Sequence, residues 1–302
     1  MEMVFLGTSS MVPTKERNAS SIFMKFEADG ILFDCGEGTQ RQMNIAGINR
    51  NDVNTIFISH WHGDHVGGLI GLLQTLSNGT DEKTIRLFGP VGTKEHFEHM
   101  LKMCVFENRV DVVVKELKPE EDEEIVALDK PLYKVTAVAL DHSTPCIGYS
   151  FYIKDKRRAD KKKMDDLGLP EGPHIQDLID GKAITHKGKK IHPEDATYVV
   201  EGKKISFIWD TAECPGCDVL AAGADLLVSE ATHLDEISER AKKYKHLTAL
   251  QAAQIASRNG VKKLYLTHFS QRYKTVEEIE SEAKMIFPET ICAFDFLKIK
   301  KI

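Results

Sequence analysis

The sequence predicts an α/β fold in which two β-sheets pack face to face and helices cover their outer surfaces. Apolar, β-branched runs typical of strands occur along the whole chain. In both halves some of these runs follow one another as hairpins, while others alternate with helix-like runs. No low-complexity tract or short-period repeat is evident. We therefore expect one α/β unit over residues 1–302, rather than two independent domains.

The individual elements follow from the spacing of apolar residues. In chain order, the strand-like runs are MVFLG, SIFMKF, ILFDC, TIFIS, IRLFG, VDVVVKEL, YKVTAVAL, IGYSFYI, KISFIWD, DLLVSE, KKLYLTH and FDFLKI. The helix-like runs are GTQRQMNIAG, GLIGLLQTL, TKEHFEHMLKMC, TALQAAQIASRNG and VEEIESEAKMI. In the fourth helix-like run, we expect Thr248 to be the N-cap and Gly260 to end the helix.

Composition favours a folded protein inside the cell. Hydrophobic residues make up 42% of the chain, which argues against disorder. No apolar run approaches the ~20 residues that span a bilayer. The N-terminal stretch MEMVFLGTSS lacks the basic start and long apolar middle of a signal peptide. We therefore expect a soluble, cytoplasmic protein.

The cysteines show no disulfide-like spacing. Six of them are scattered along the chain, at positions 35, 104, 146, 214, 217 and 292. Cys214 and Cys217 form the motif CPGC, but no second CxxC completes a zinc site of four thiolates. We expect a turn at Pro215 and Gly216 in preference to a structural zinc, and a redox pair is the least favoured interpretation.

Charge is distributed unevenly. The formal net charge of −6 argues against broad attraction to nucleic acid. The run KDKRRADKKK, from Lys154 to Lys163, holds seven Lys or Arg and two Asp, a net charge of +5. Gly-rich and Pro-containing stretches flank this run, so it is interpreted as an excursion from the folded body. Two interpretations stay open, a solvated hairpin arm and a tethered clamp for phosphates.

The densest cluster of titratable side chains lies in the motif HWHGDH. The cluster comprises His60, His62, Asp64 and His65. A packed core does not explain it, because burying several imidazoles without partners is costly. The preceding run TIFIS is typical of a buried strand and two glycines follow the cluster, so the cluster lies where a strand ends and the chain turns. Such positions commonly bind ligands in α/β folds, and a metal site is the natural hypothesis.

Three further candidate ligands follow strand-like runs elsewhere in the chain. These are His142 after YKVTAVALD, Asp210 after KISFIW and His268 after KKLYLT. A lone histidine at a strand end is more often a surface residue than a ligand, but three such positions joined to the HWHGDH cluster favour a shared site. The seven groups suffice for two cations if one carboxylate bridges. Imidazole and carboxylate suit zinc, manganese or iron, and zinc is the preferred expectation, with manganese as an alternative.

These motifs resemble those of a known family. HWHGDH is similar to the HxHxDH signature of the metallo-β-lactamase fold. Within that superfamily the chain closely resembles ribonuclease Z, the endonuclease that trims the 3′ end of precursor tRNA. PTKERN (Pro13–Asn18) is similar to the family's PxKxRN loop. HST at His142, SEATH at Ser229 and HLT at His246 resemble further family motifs. The basic run followed by EGP occupies the place of the family's exosite, and the resemblance extends from about Phe5 to about Phe269.

The resemblance implies a four-layer αββα sandwich with a protruding, flexible basic arm at about residues 154–190. It also implies how the ligands divide between two zinc ions per subunit. His60, His62 and His142 would hold one ion, Asp64, His65 and His268 the other, and Asp210 would bridge. Two such cations can lower the pKa of a shared water and stabilise a phosphodiester during in-line attack by the resulting hydroxide.

The implied reaction releases the 3′ trailer of precursor tRNA. Cleavage after the discriminator region leaves a tRNA 3′-hydroxyl and a 5′-phosphate on the trailer. Asp64 has a second expected role, the acceptance of a proton from the attacking water. His246 is expected to protonate the leaving 3′-oxygen, with Glu230 orienting it, as the family's motifs imply. The alternative for His246 is a surface histidine beside a helix start.

RNA contacts are expected in two places. Lys15, Arg17 and Asn18 of PTKERN are expected near the acceptor stem or discriminator end, although an ordinary polar turn would look similar. The arm is expected to hold the RNA backbone far from the metals. Its candidate contacts are Lys156, Arg157, Arg158, Lys161, Lys162 and Lys163. The resemblance also implies a homodimer.

Two functions of other classes compete with a tRNA endonuclease. One is a different hydrolase on the same metal scaffold, such as a thioesterase, a lactonase or a small phosphodiesterase. The other is a non-catalytic RNA-binding protein that keeps the fold. The basic run and PTKERN argue against the first, and the complete ligand set argues against the second, because binding alone needs no activated water.

Overall fold

The computed structural model describes residues 1–79 and 83–300. Within them the strands, in chain order, are β1 (Glu2–Gly7), β2 (Ser9–Ser10), β3 (Ser21–Phe26), β4 (Asp29–Phe33), β5 (Val53–Phe57), β6 (Lys83–Pro90), β7 (Val110–Leu117), β8 (Ile125–Asp129), β9 (Tyr133–Leu140), β10 (Cys146–Ile153), β11 (Lys156–Ala159), β12 (Ile184–His186), β13 (Lys189–Ile191), β14 (Thr197–Val200), β15 (Lys203–Ile208), β16 (Leu226–Glu230), β17 (Leu264–Thr267), β18 (Phe269–Ser270), β19 (Thr290–Cys292) and β20 (Lys298–Ile299).

The helices connect these strands. They are α1 (Thr39–Ala46), α2 (Gly63–Val66), α3 (Leu69–Ser77), α4 (Thr93–Met103), α5 (Lys161–Asp166), α6 (His174–Ile179), α7 (Pro193–Ala196), α8 (Pro215–Ala221), α9 (Ser238–Tyr244), α10 (Ala249–Arg258) and α11 (Glu277–Lys284). The predicted capping of α10 is confirmed, since the Thr248 side chain accepts a hydrogen bond from the Gln251 amide. None of these helices is long and apolar enough to cross a membrane.

Two seven-stranded sheets form the body of the fold. Their strand orders are β20-β1-β3-β4-β5-β6-β7 and β19-β17-β16-β15-β10-β9-β8. Aromatic rings join the two inner faces, for example Phe33 stacked on Phe207 with ring centroids 4.1 Å apart, and Phe57 against Tyr149 at 5.0 Å. Each sheet contains a parallel portion, β4 to β7 in the first and β15 to β19 in the second. The carboxyl ends of those strands therefore lie at one edge of each sheet.

Helices cover the outer faces of both sheets. On the first sheet, Leu69, Leu72 and Leu76 of α3 belong to a buried cluster with Val4 and Ile56 from the strands. On the second sheet, α10 packs against β16 and β17 and buries its alanine-rich face. The predicted α/β architecture of two packed sheets between helical layers is confirmed.

The described chain divides into two compact units. One comprises residues 1–128, 135–151 and 204–302, and the other comprises residues 129–134 and 152–203. The arm predicted at about residues 154–190 falls within the second unit. Its protrusion and flexibility stay predictions.

The second unit is folded around its own core. It contains two antiparallel strand pairs, β11 with β14 and β12 with β13, together with α5, α6 and α7. The buried residues Met164, Leu169, Ile175, Leu178 and Ile191 pack together there. The sequence did not reveal this hydrophobic cluster, because its apolar residues are dispersed among charged ones.

Two other expectations about local structure were wrong. The run FDFLKI is a turn around Asp295, and only Lys298–Ile299 forms a strand. Phe296 there has a φ of 70°, which a continuous strand does not allow. CPGC is the start of α8 rather than an isolated turn, with Pro215 in its first turn, where a missing N–H costs little.

Candidate metal centre

The seven predicted ligands converge in the first unit. The structure places their ligand atoms in overlapping groups, within which all atoms lie within 4.8 Å of one another. The groups are His60, His62 and His142; Asp64, His65 and His268; His60, His65 and Asp210; and Asp210, His246 and His268. The HWHGDH cluster comes from the end of β5 in the first sheet, whereas His142, Asp210 and His268 follow β9, β15 and β17 of the second. The site therefore lies where the strand ends of the two sheets meet.

Asp34 fixes the orientation of His65. Its buried carboxylate lies 2.7 Å from His65 Nδ1 and accepts hydrogen bonds from both the amide and the hydroxyl of Ser59. The Nδ1–H of His65 donates to Asp34, which leaves the Nε2 lone pair facing the cluster. A carboxylate behind an imidazole is the usual support of a metal-binding histidine.

Three other imidazoles are held through the same nitrogen. His60 Nδ1 lies 3.0 Å from Ser59 Oγ, His142 Nδ1 lies 3.0 Å from the Lys245 carbonyl, and His268 Nδ1 lies 2.9 Å from Thr232 Oγ1. Each of these rings therefore presents Nε2 to the cluster. His62 is turned the other way and presents Nδ1.

The ring nitrogens that face the cluster are arranged to bind a cation rather than to form hydrogen bonds with one another. His60 Nε2 and His142 Nε2 lie 3.0 and 3.2 Å from the same His62 Nδ1, and His65 Nε2 lies 3.3 Å from His268 Nε2. In the neutral rings, whose other nitrogens carry the proton, these atoms are all acceptors and cannot satisfy one another. Burial favours the neutral His65 ring, but the surrounding carboxylates, Asp210 first among them, outweigh burial and raise the pKa of His65, so that without a cation a proton supplies the positive charge there. A cation among them would satisfy all of them at once.

Asp210 lies between the two groups of imidazoles. Its Oδ1 is 3.2 Å from His268 Nε2, and its Oδ2 is 3.5 Å from His65 Nε2 and 3.8 Å from His60 Nε2. Among the described residues, no hydrogen-bond donor reaches the buried Oδ1. A buried carboxylate oxygen with this surplus of lone pairs also fits a cation. The fold and the clusters together support the use of a metal at this site.

Asp64 is held at the rim of the cluster. Its Oδ2 lies 3.5 Å from both His65 Nε2 and His268 Nε2, and it accepts a hydrogen bond of 2.7 Å from the Met11 amide. Burial favours the neutral carboxyl group, but the imidazoles outweigh burial and hold the pKa of Asp64 below its usual range. Asp64 is therefore ionised and can serve as a ligand or as a base.

His246 and Glu230 form a pair beside Asp210. His246 Nδ1 lies 3.1 Å from Glu230 Oε1, and the fully buried Glu230 carboxylate also accepts hydrogen bonds from the Thr211 amide and the Thr232 hydroxyl. Burial favours the neutral ring, but Glu230 outweighs burial and raises the pKa of His246 to about 9. The ring follows α9 and precedes the Thr248 N-cap, and it is only partly exposed.

Comparison with known proteins identifies the family. The chain is 38% identical to ribonuclease Z of Thermobifida fusca, over 99% of this chain and 94% of that protein. It is also 38% identical to ribonuclease Z of Methanothermobacter thermautotrophicus, over 99% of this chain and 96% of that protein. The chain belongs to the ribonuclease Z family.

Solved structures agree with this assignment to the ribonuclease Z family. The short form of human tRNase Z superposes with a TM-score of 0.73 at 28% identity, covering 99% of both chains. The metallo-β-lactamase fold protein YhfI from Bacillus subtilis superposes with a TM-score of 0.69 at 16% identity, covering 99% of this chain and 98% of the other, and shows the fold alone. Residues 1–158 also match the family model described as Anti-Pycsar protein Apyc1. The metallo-β-lactamase fold predicted from HWHGDH is thus confirmed.

Within this ribonuclease Z fold, the PTKERN loop is partly built into the protein. Lys15 is exposed, but Arg17 is buried, and its guanidinium donates to the Tyr273 carbonyl. Asn18 donates through its side-chain amide to the Glu37 carbonyl, at 2.7 Å. Arg17 and Asn18 therefore hold the loop in place here, and the RNA contacts expected of all three residues stay predictions.

The cationic residues of the second unit differ in exposure. Lys156, Arg158, Lys161, Lys162 and Lys163 are exposed, whereas Arg157 is partly buried. Arg157 donates to Thr197 Oγ1, at 2.9 Å, and Lys163 donates to the carbonyls of Glu194 and Thr197. Those two stabilise the unit, and the other four are available to a polyanion. RNA binding by all six stays a prediction.

Sequence reasoning missed the residues that orient the ligands. Asp34 lies within the strand-like run ILFDC, and Thr232 lies in SEATH, two residues after a strand-like run; neither belongs to the HxHxDH pattern. A weak signal existed at Asp34, where an acid interrupts the buried run ILFDC. The structure adds that Asp34 and His268 have φ angles of 56° and 61°, an uncommon conformation that is frequent at functional sites.

Proposed function

We propose that the protein removes the 3′ trailer from precursor tRNA and depends on two zinc ions to do so. Membership of the ribonuclease Z family makes it an endoribonuclease. The observation that carries the proposal is the convergence of five imidazoles and two carboxylates, with their lone pairs directed at one another, beside the His246–Glu230 pair. Cleavage would leave a 3′-hydroxyl on the tRNA and a 5′-phosphate on the trailer.

The ligand division proposed here is the one that the groups of facing atoms suggest. His60, His62 and His142 would hold one ion, Asp64, His65 and His268 the other, and Asp210 would contact both. Zinc is proposed because imidazole and carboxylate ligands in a compact open site suit it, and manganese is the alternative. When bound, such ions supply positive charge that favours ionisation of water and stabilises a phosphodiester as its charge increases.

Asp64 is proposed to accept a proton from the attacking water. The Met11 amide binds its Oδ2, so the carboxylate cannot rotate freely. Its low pKa keeps it ionised, as a proton acceptor requires. The attack would proceed in line, opposite the departing 3′-oxygen.

His246 is proposed to donate a proton to that leaving oxygen. An alkoxide leaving group is poor, so protonation in the transition state accelerates its departure. Glu230 binds Nδ1, which leaves the Nε2–H of the imidazolium free to donate. The Thr211 and Thr232 contacts hold Glu230 in place for this task.

Two cavities meet at His246, and their positions suggest the path of the RNA strand through the site. The first, of about 750 Å³, contains His62, Asp64, Asp210 and His246 in its lining. The second, of about 370 Å³, shares Met11, Tyr244 and His246 with the first. We infer that the scissile phosphate occupies the first cavity and that the nucleotide carrying the leaving oxygen extends past His246 into the second.

The remaining partner assignments are also proposals. Exposed cations of the second unit would bind the RNA backbone, since phosphate contacts supply most of the sequence-independent affinity. A homodimer rests on the family resemblance.

The decisive experiment offers the purified protein a precursor tRNA with a 3′ trailer and, separately, a small ester and a thioester. We expect cleavage of the RNA at the trailer junction, with a 5′-phosphate on the released trailer. Elemental analysis should find two zinc ions per chain, and a strong chelator should abolish cleavage. Rapid turnover of the ester or thioester with an intact RNA would contradict the proposal.

An Asp64→Ala variant tests the assigned base. Cleavage should fall by about 10² to 10⁴-fold or more, while tRNA binding stays nearly unchanged. Asp52→Ala is the matched control, because Asp52 pairs with Lys25, at 2.9 Å, and belongs to none of the groups of candidate ligands. Normal cleavage by Asp64→Ala would remove its assigned role.

A further inference from the structure

The CPGC motif places two sulfur atoms side by side near the loop that carries Asp210. Cys214 Sγ and Cys217 Sγ are 3.8 Å apart. A disulfide bond is about 2.05 Å long, so a side-chain rotation of modest size would bring the atoms together. Cys214 immediately precedes α8 and Cys217 lies in its first turn, so the helix fixes their spacing.

The two cysteines have different surroundings. Cys214 is half-buried and lies 3.6 Å from Thr211 Oγ1, whereas Cys217 is fully buried in the hydrophobic core. The hydrogen bond from Cys217 lowers the pKa of Cys214 to about 6, and the same contact together with burial raises the pKa of Cys217 well above its usual value. An accessible thiolate beside a buried thiol is the arrangement of an attacking and a resolving cysteine.

A metal does not explain this pair. In the part of the chain that the structure describes, neither cysteine belongs to a group of three side chains able to hold an ion.

We propose that Cys214 and Cys217 form a thiol–disulfide exchange site that small-molecule disulfides such as oxidised glutathione convert to an intramolecular disulfide. The Cys214 thiolate attacks one sulfur of the small disulfide, forms a mixed disulfide and releases one thiolate. Cys217 gives its proton to that thiolate and attacks Cys214 Sγ, which releases the second thiolate. The second thiolate takes from solvent the proton that Cys214 had given up. One small disulfide is thereby reduced to two thiols while the protein dithiol is oxidised by two electrons, so atoms and electrons balance.

The site contacts the candidate catalytic residues through Thr211. This residue follows Asp210, its hydroxyl lies beside Cys214, and its amide donates to Glu230 at 2.8 Å. The Asp141 amide, next to His142, donates to the same hydroxyl at 3.0 Å. A change in the redox state of the pair therefore acts directly on the loops of two proposed ligands.

The test incubates the full chain in glutathione buffers of increasing oxidation, quenches with acid, alkylates free thiols and maps the peptides by mass spectrometry. In the wild-type chain, the alkylated fractions of Cys214 and Cys217 should decrease together as the buffer becomes more oxidising. The two residues should then appear as one internal disulfide. At neutral pH, Cys214 should react faster than the exposed Cys104, on the order of tenfold, because its thiolate fraction is larger. A Cys104→Ser variant should behave as the wild type does.

Two single variants separate the roles. Cys217→Ser should stop at a glutathione adduct on Cys214, and Cys214→Ser should leave Cys217 reduced. The proposal is overturned if both cysteines remain reduced, and are therefore alkylated after the quench, in buffers that oxidise Cys104. It is also overturned if wild-type Cys214 retains glutathione, or if Cys217 is oxidised without Cys214.

Discussion

At the scale of single residues, the candidate centre depends on buried side chains that are not themselves proposed ligands. Asp34 is fully buried, and its carboxylate binds Ser59 and His65, which are 25 and 31 positions away. It thereby selects the His65 tautomer that presents Nε2 to the site. A supporting acid of this kind stabilises a metal site without being a ligand.

An Asp34→Asn variant should weaken metal binding by about 10 to 100-fold. The amide keeps the shape but lacks the charge that orients the His65 ring. Competition with a chelator of known affinity measures the change. Asp295→Asn is the matched control, because this half-buried carboxylate binds Thr8, Asn18 and Gln42, none of them a proposed ligand. Equal metal affinity in the two variants would contradict the assignment.

A His246→Ala variant should slow the bond-breaking step by about 10² to 10⁴-fold, because the leaving oxygen would depart unprotonated. Metal content should not change, since Glu230 binds this ring and the proposed ligands have their own supports. Single-turnover cleavage measures the rate and elemental analysis the metal.

The control for this variant is His233→Ala. The His233 ring lies 6.3 Å from that of His246, but within the described part of the chain its Nδ1 has no hydrogen-bond partner. It is therefore a neighbouring imidazole that Glu230 does not orient. Because His233 lines the second cavity, its removal should affect RNA binding rather than bond breaking, and the single-turnover rate at saturating enzyme should stay close to that of the wild type. A wild-type rate in His246→Ala would show that another group protonates the leaving oxygen.

The sequence predicted the site residues that lie close together along the chain. HWHGDH gathers four candidates in six positions, so the motif was recognisable without tertiary information. Asp34 was missed because its partners are distant in sequence. The RNA contact expected of Arg17 came from the resemblance of PTKERN to the family's loop and stays a prediction. Its contact with the Tyr273 carbonyl, 256 residues away, was not predictable from the sequence.

At the scale of elements, regular spacing made the long strands and helices predictable, and polar contacts decided the exceptions. FDFLKI alternates like a strand, but the Asp295 carboxylate in it binds Thr8 and Asn18 and fixes a turn. The elements of the second unit are short, with helices of four to six residues and strands of three or four. Such elements carry too few periods for a reliable pattern.

The cations of the second unit allow a test at this scale. The variant replaces Lys156, Arg158, Lys161 and Lys162 with glutamine. Because each phosphate contact releases counterions, the slope of log affinity for tRNA against log salt should fall by roughly 0.7 to 0.9 for each phosphate that the variant no longer neutralises. Arg157 and Lys163 are kept, since they hold Thr197 and Glu194 in place.

The matched control removes the same amount of charge elsewhere. It replaces the exposed lysines Lys94, Lys102, Lys118 and Lys298 of the first unit with glutamine. Binding of tRNA at several salt concentrations, with both variants side by side, measures the slopes. The same slope in the two variants would favour the interpretation of a solvated surface over that of an RNA contact.

At the scale of the whole molecule, the site exists only because two sheets are packed together. The first sheet supplies the HWHGDH cluster and Asp34, and the second supplies His142, Asp210 and His268. The aromatic contacts between the inner faces, such as Phe33 with Phe207, therefore support the site as well as the fold. No sequence pattern predicts that relative placement, because it depends on which strand ends come to the same edge.

The second unit allows the last prediction, in which most of it, residues 154–201, is excised. The backbones of Ile153 and Gly202 are in direct contact, so a short glycine linker can join these two residues. The hydrophobic cluster of the second unit is separate from that of the first, and the first unit keeps both large sheets.

We expect the shortened chain to unfold cooperatively and to hydrolyse a small chromogenic phosphodiester within about threefold of the wild-type rate, because all proposed ligands remain. Affinity for tRNA should fall at least about tenfold, since the exposed cations are absent. Filter binding and initial rates measure the two effects, and the four-glutamine variant of the second unit separates loss of charge from loss of the folded unit. Wild-type affinity for tRNA in the shortened chain would exclude this unit from RNA binding, whereas loss of phosphodiester hydrolysis with retained metal would show that it contributes to catalysis.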